Sequence, residues 1–394
     1  MLDNKTVAQA KKRTGEPQEI TEKRLFALKA FSNIDLPSLK TESWRYTSLK
    51  QIILEKFENT IEEKAKFSIN KGKGVIACTV KEAFIKHKDL LMKYLPESLV
   101  DRDNDKFSAM HYSFWNTGFF IFVPKKTEAQ LAITLIAEKE GAILSHNLIV
   151  VEEDSSLDYF EEQLSEKGSY LCLRNDLTYI IIKESSKVSF YNFQNWEDNV
   201  ISLSNWKAVL SKDSIINWIF GQFGGKLSRV KIDTLFNGQG SSSKTSGVFY
   251  GDSEQHFDIT TDAHHNVPNT NCDILVKGVL DDSSSSVYRG KIKILKEAQQ
   301  TNSYLSDHSL MLSGNSISNS IPSLEIDAND VKASHGATIG KPDDEELFYL
   351  MARGLSKKEA ERLIITGYFS PVLELIKNLE FKAKLEDAIE GKKK

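Results

Sequence analysis

Hydrophobic and polar residues change their spacing twice along this chain. Between Pro17 and Ile34, the residues Ile20, Leu25, Phe26, Leu28 and Phe31 form a pattern suited to an amphipathic helix, stopped by Pro37. Glu42-Ser-Trp-Arg-Tyr-Thr-Ser-Leu49 follows as a short irregular or helical piece. Val80 to Tyr94 reads as helical again, interrupted by Pro96. From about Phe119 the period drops to two. Phe119–Val123, Ala132–Ile136, Leu148–Val151, Tyr179–Ile182, Val188–Phe193 and Trp206–Leu210 all predict strands. After Pro342 the helical period returns. Asp343-Asp-Glu-Glu346 places acid in a first turn, where the helix dipole favours it. Ser356-Lys-Lys-Glu359 fits a capping box. Leu363, Ile364, Tyr368 and Phe369 form an apolar stripe, and Pro371 permits a break before a last amphipathic piece.

The strands are separated by similar turns: Glu152–Leu157, Lys183–Val188, Ser211–Ile215, Gly238–Ser242 and Asp281–Ser285. The first four recur at roughly thirty-residue intervals, a period that suggests a repeat architecture. No helical pattern lies between the strands, which argues against a doubly wound α/β sheet. A solenoid stacks such units, each burying its apolar face on its neighbour; a β-sandwich is the rival for the same strand spacing. A solenoid end must hide its edge and its apolar interior, so part of the C-terminal helical region is expected to pack there as a cap.

The chain has 394 residues, enough for one to three domains, and its 40% hydrophobic and 27% charged content is that of an ordinary water-soluble protein. A formal net charge of -4 gives no global attraction to nucleic acid, and Lys392-Lys-Lys394 reads as a frayed, solvated tail. Cys78, Cys172 and Cys272 are odd in number and far apart, without a CxxC pair. They predict neither a disulfide framework nor a complete metal site, and fit a reducing cytoplasm. The first twenty residues hold no apolar signal core, and the apolar runs are too short to cross a membrane.

No GxxxxGK[ST] run is present: Gly221-Gln-Phe-Gly-Gly-Lys226 continues into Leu227 with the wrong spacing. Nor is there an HExxH, GxSxG or GxGxxG motif, so no catalytic activity and no nucleotide site are expected in this chain. The candidate chemistry is sparse. His335, between Ser334 and Gly336, is a plausible metal ligand through a neutral imidazole; the structural alternative is a turn histidine that hydrogen-bonds across an interface. Asp262-Ala-His-His265 with Cys272 is the densest group of potential ligands. Adjacent side chains of a strand face opposite ways, so His264 and His265 cannot share one metal, and the alternative is a polar ladder with Cys272 buried. Phe190, Phe193, Trp196, Trp206, Trp218 and Phe220 could stack a flavin or simply fill a core.

Several segments resemble the SufB/SufD family of SUF-type iron–sulfur cluster assembly scaffolds: Glu42–Thr47, Asn116–Pro124, Val276–Asp282, Ala298–Thr301, Ser334–Gly340 and Leu347–Leu355. Gly336 stands where the SufB branch has a glutamate, and Leu310 to Ile326 lacks the cysteine of that branch, so the resemblance is to the SufD side. It implies a mainly β fold with flanking α: a right-handed parallel β-helix core over 119–341, a helical and mixed region over 1–118, and a helical region over 342–394. It also implies a non-catalytic scaffold subunit that pairs with a SufB-like paralogue and docks a SufC-like ATPase through the stripe Leu363, Ile364, Tyr368 and Phe369. A nascent iron–sulfur cluster would form at a subunit interface with His335 as ligand, Cys272 being the other candidate, and reduced flavin is associated with the family's complex. Many members carry a cysteine two residues before the histidine; here it is Ala333. The rival readings are a SufB-like scaffold acting as a homodimer, a structural brace with no ligand role, and a β-helix polysaccharide enzyme, which needs clustered carboxylates and secretion.

Overall fold

The computed structural model describes residues 2–50, 52, 57, 64–99, 105–168 and 170–392. Helices α1 (Asn4–Thr14), α2 (Gln18–Asn33), α3 (Val80–Lys86), α4 (Lys88–Ser98) and α5 (Lys106–Phe114) form the N-terminal part with strands β1 (Lys64–Lys71) and β2 (Ile76–Thr79). The predicted helix after Pro17 is α2, and the aromatic piece contains a single 3-10 turn at Glu42–Trp44. Periodicity does not reveal α1 or α5. In α1 the apolar side is only Val7 and Ala10, and the helix is defined by its ends, a capping box on Asp3 and a left-handed Gly15. In α5, Phe107, Ala109, Met110, His111 and Phe114 are all buried, so no stripe stands out. Pro96 does not interrupt α4. It lies in the last turn, where it removes only its own amide from the ladder, and Pro371 sits likewise near the end of a later helix.

The β region then runs as β3 (Phe119–Val123), β4 (Glu128–Ala137), β5 (Gly141–Val151), β6 (Ser156–Ser165), β7 (Cys172–Ile182), β8 (Lys187–Asn195), β9 (Val200–Leu210), β10 (Ile215–Gln222), β11 (Leu227–Phe236), β12 (Ser242–Gly251), β13 (His256–His265), β14 (Asn271–Leu280), β15 (Ser285–Ile294), β16 (Thr301–Met311), β17 (Ile317–Ile326) and β18 (Val331–Gly340). Odd strands from β3 onward stack in parallel in one sheet, and even strands from β4 onward in the other. The chain therefore coils between two facing sheets in about 8 turns, a β-solenoid and not a sandwich. At the first end the stack is closed by β1 and β2, which pair antiparallel with β4 and β3.

The recurring turns explain the thirty-residue period. The first four predicted turn pieces all lie on one edge of the solenoid, where an odd strand passes to the next even one; Asp281–Ser285 lies on the opposite edge. At the first edge seven of the eight turns place one residue in the left-handed region: Lys126, Asp154, Ser185, Asp213, Gly240, Asn269 and Gln300. Asp, Asn and Gly accept this conformation best. The turn amides donate to the next coil, Asp154 N to Glu184 O at 3.1 Å and Ser185 N to Lys212 O at 3.0 Å. The serines that close the turns are buried, and their hydroxyls satisfy turn carbonyls, as with Ser186 Oγ to Glu152 O at 2.6 Å.

Three apolar layers hold the molecule. The lumen is filled by inward residues of both sheets, including Trp206, Trp218, Phe190 and Phe220. The outer face of β5 and β7 is covered by the N-terminal helices, which is why β5 and β7 are buried along their whole length. The outer face of β8, β10, β12 and β14 is covered by α7 (Lys357–Leu373) and α8 (Leu379–Gly391), which follow α6 (Asp344–Ala352). The C-terminal helices therefore lie along a flank and do not cap the solenoid end. Phe369, Val372 and Leu385 reach the aromatic and branched residues that the even strands turn outward. Lys392 is not frayed: its ammonium lies 3.1 Å from Asp252 and 2.9 Å from Gln255 Oε1, while Lys393 and Lys394 fall outside the described residues.

Candidate functional site at the open end

Each rung of the solenoid places aligned residues in columns, because paired residues on parallel strands face the same way. One lumen column reads Leu131, Tyr159, Phe190, Trp218, Thr245, Ile274, Leu305 and finally His335. His335 thus takes a core position in the last rung, yet it is exposed. Strands β17 and β18 are the terminal members of their sheets, each with one neighbour, and their residues are largely exposed. Leu324, Val331 and Ala333 rest on the lumen core, while Ile326 and Ile339 face solvent. The end is an open mouth with an imidazole in its interior register.

Asp307 lies just inside this mouth. It projects inward from β16 beneath Ala337 and is 2% exposed. Ser320 of β17 donates a hydrogen bond to it at 2.9 Å, and burial raises its carboxyl to about 6. Nothing in the local sequence singles this residue out; the column assignment does.

The structure does not bring Cys272 to His335. Cys272, Ser303 and Ala333 share one column, so Cys272 is two strands deeper, on the order of 10 Å at the usual strand spacing. Its thiol is pushed up to about 12 by burial, which disfavours the thiolate a metal would need. His264 and His265 do face opposite sides. His265 points inward, stacks on Phe236 with ring centroids 4.3 Å apart, and hydrogen-bonds Thr270 and Ser303. His264 points outward and, with Asp262 and Asp233 of the neighbouring strand, forms a group whose donor atoms lie within 4.8 Å. Asp233 could not be foreseen, since only the pairing of β11 with β13 brings it there. The Lys231 ammonium already stands 3.5 Å from Asp233, so the group is a charged ladder on the sheet surface. The aromatic run divides between the layers: Trp206, Trp218, Phe190 and Phe220 fill the lumen, Phe193 lies under the C-terminal helices, and Trp196 packs with Cys172 and Val200.

Two of the quoted segments acquire structural reasons. Residues 42–47 are pinned to the outer face of the odd-strand sheet. Arg229 lies 3.8 Å over the Trp44 ring and donates to Ser43 O at 3.0 Å, Thr47 donates to buried Asp258 at 2.6 Å, and Arg289 pairs with Asp258 at 2.7 Å. In Val276–Asp282, a Cβ on Gly278 would stand 1.9 Å from the Phe249 ring, so only glycine fits.

The stripe on α7 is split. Phe369 is 0% exposed and belongs to the flank core, Ile364 and Tyr368 are half-buried against it, and Leu363 is 52% exposed. On α6 no residue is buried, and Phe348, Tyr349 and Met351 face solvent. No helix among the described residues is long and apolar enough to cross a membrane.

Comparison with known proteins agrees with this architecture. Residues 134–368 match the family model described as "SUF system FeS cluster assembly, SufBD core domain", and residues 55–135 match "SufBD protein N-terminal region". The iron–sulfur cluster assembly protein SufD of Bacillus subtilis is 33% identical over 328 residues, 82% of this chain and 75% of its own length. An iron–sulfur cluster assembly SufBD family protein of Staphylococcus saprophyticus is 28% identical over 90% of this chain and 74% of its own length. With the coiled core, the open last rung and both family regions in place, the chain belongs to the SufBD family of iron–sulfur cluster assembly proteins, as a homologue of SufD.

Proposed function

We propose that this chain is a non-catalytic scaffold subunit that joins a SufB-like paralogue end to end and docks a SufC-like ATPase on its C-terminal flank, in the cytoplasm. The observation that supports this most is the open last rung. Strands β17 and β18 offer unpaired backbone groups and inward apolar residues, features that a partner's strands would complete. The C-terminal helices leave that end free by packing along the flank.

The iron–sulfur cluster is cargo in this reading. The mouth offers an imidazole and a carboxylate but no thiolate, since Ala333 occupies the position two before His335 and Cys272 is buried with a raised pKa. Such a donor set suits one side of a shared site and requires the paralogue to supply sulfur ligands. Exposed Phe348, Tyr349, Met351 and Leu363 form the apolar surface for the ATPase, with Phe369 fixing α7 from beneath.

Co-purification from the native cell, with partners identified by mass spectrometry, tests this. A paralogue of similar length and an ATPase should appear. Replacing His335 by alanine should leave the complex assembled and abolish cluster formation; intact cluster formation would reduce the chain to a brace. Recovery of the chain only as a homodimer would overturn the end-to-end pairing.

A further inference from the structure

Two carboxylates on the outer face of the odd-strand sheet each hold two cations. Asp258 pairs with Arg289 at 2.7 Å and with Arg229 at 3.6 Å, and Glu325 pairs with Lys291 at 3.1 Å and with Lys293 at 3.5 Å. On β11, Lys231 lies 3.5 Å from Asp233 and 4.0 Å from Asp262. Four of these cations, Arg229, Lys231, Arg289 and Lys291, line a cleft of about 650 Å³ between the outer face of β9 to β17 and the segment 41–45. That volume is in the range of small-molecule sites.

The floor of the cleft holds a row in register: Asn205, Lys231, Thr260, Arg289 and Ile321, one residue from each strand. The first four carry hydrogen-bond donors. Thr260 is 7% exposed, and its hydroxyl has no hydrogen-bond partner among the described residues. The Nε atoms of Arg229 and Arg289 likewise make no hydrogen bond there. Buried donors in this state cost stability until an acceptor reaches them. Lys231 and Arg289 stand one strand to either side of Thr260, about 5 Å away at the backbone. Both side chains are long enough to reach a group seated over the Thr260 hydroxyl.

We propose that this cleft binds the oxyanion group of a small molecule, a carboxylate or a phosphate. Thr260 donates from the floor, and Lys231 and Arg289 close on the oxygens from either side, as charge-assisted hydrogen bonds. Glu42 and Asp262 also line the cleft and repel a polyanion, which limits the ligand to a single anionic group there. The aromatic residues of the lining, Trp44 and Phe107, are 1% and 3% exposed, and Arg229 covers the Trp44 ring. The lining therefore offers no aromatic face to a planar ring, which sets aside a stacked flavin or nucleobase. The site is independent of the pairing and docking proposed above and of His335.

The test titrates the full chain calorimetrically at low ionic strength, once with inorganic phosphate and once with butyrate. At least one probe should bind saturably and one-to-one, and the tighter of the two assigns the group. Thr260→Val, which removes the hydroxyl at nearly constant shape, should weaken that binding roughly fivefold. Lys231→Met should weaken it roughly tenfold or more. Lys139→Met makes the same charge change at an exposed lysine in the turn before β5 and should leave binding unaltered. Melting temperatures check that the variants fold. In the wild type, the saturating probe should slow amide exchange across residues 41–47, a readout that needs no variant. Failure of both probes to saturate, wild-type binding by Thr260→Val, equal weakening by Lys139→Met and Lys231→Met, or unchanged exchange across 41–47 would each overturn the proposal.

Discussion

At the scale of single residues, the lumen contains a titratable group whose effect on stability has a definite sign. Glu161 is buried, and burial, followed by the charge of Asp176, raises its carboxyl to about 7 from an ordinary value of 4.5. Between those values the folded protein holds a proton that the unfolded chain has released. Stability therefore falls as pH rises through this window, and the full penalty, on the order of 3 kcal/mol, is present above it. Glu161→Gln should melt near the wild type at pH 5 and higher than the wild type at pH 8; an unchanged difference between the two pH values in thermal melts would contradict the assignment. Gly278→Ala should lose about 1–3 kcal/mol in denaturant unfolding, because the Phe249 ring fills the space a methyl would take. His335 was legible as a candidate only through its neighbours in sequence. Its place in a core column, and the existence of Asp307 and Asp233 beside the candidate groups, follow from strand register, which no local pattern encodes.

At the scale of elements, the turns were the readable part. Most coils place a left-handed residue and a small buried hydroxyl at the same edge, so Asp, Ser and Gly recur with the coil length. What covers each outer face was not readable. Full burial of β5 and alternating burial of β4 differ only because the N-terminal helices lie on one and not the other. For the same reason the C-terminal stripe gave its apolar residues but not their division between core and surface. Phe369→Ala should destabilise the chain by roughly 3–5 kcal/mol, as for other large buried rings. Leu363→Glu and Phe348→Glu should change stability by less than about 0.5 kcal/mol and abolish co-purification of the ATPase. If these two variants unfold the chain, or leave the ATPase bound, the docking surface is elsewhere.

At the scale of the whole molecule, the solenoid has one closed and one open end. Antiparallel β1 and β2 close the first, and parallel β17 and β18 leave the second with unpaired edges. An uncapped end of this kind invites uncontrolled pairing unless a specific partner covers it. The central claim is that the partner is the SufB-like paralogue and that it covers β17 and β18. Amide hydrogen exchange of this chain, free and bound to the paralogue, measures this directly. Exchange should slow across Ile317–Ile326 and Val331–Gly340 on binding and change little in α1 to α5. Protection confined to the helical flanks, with β17 and β18 exchanging as fast as in the free chain, would contradict the account.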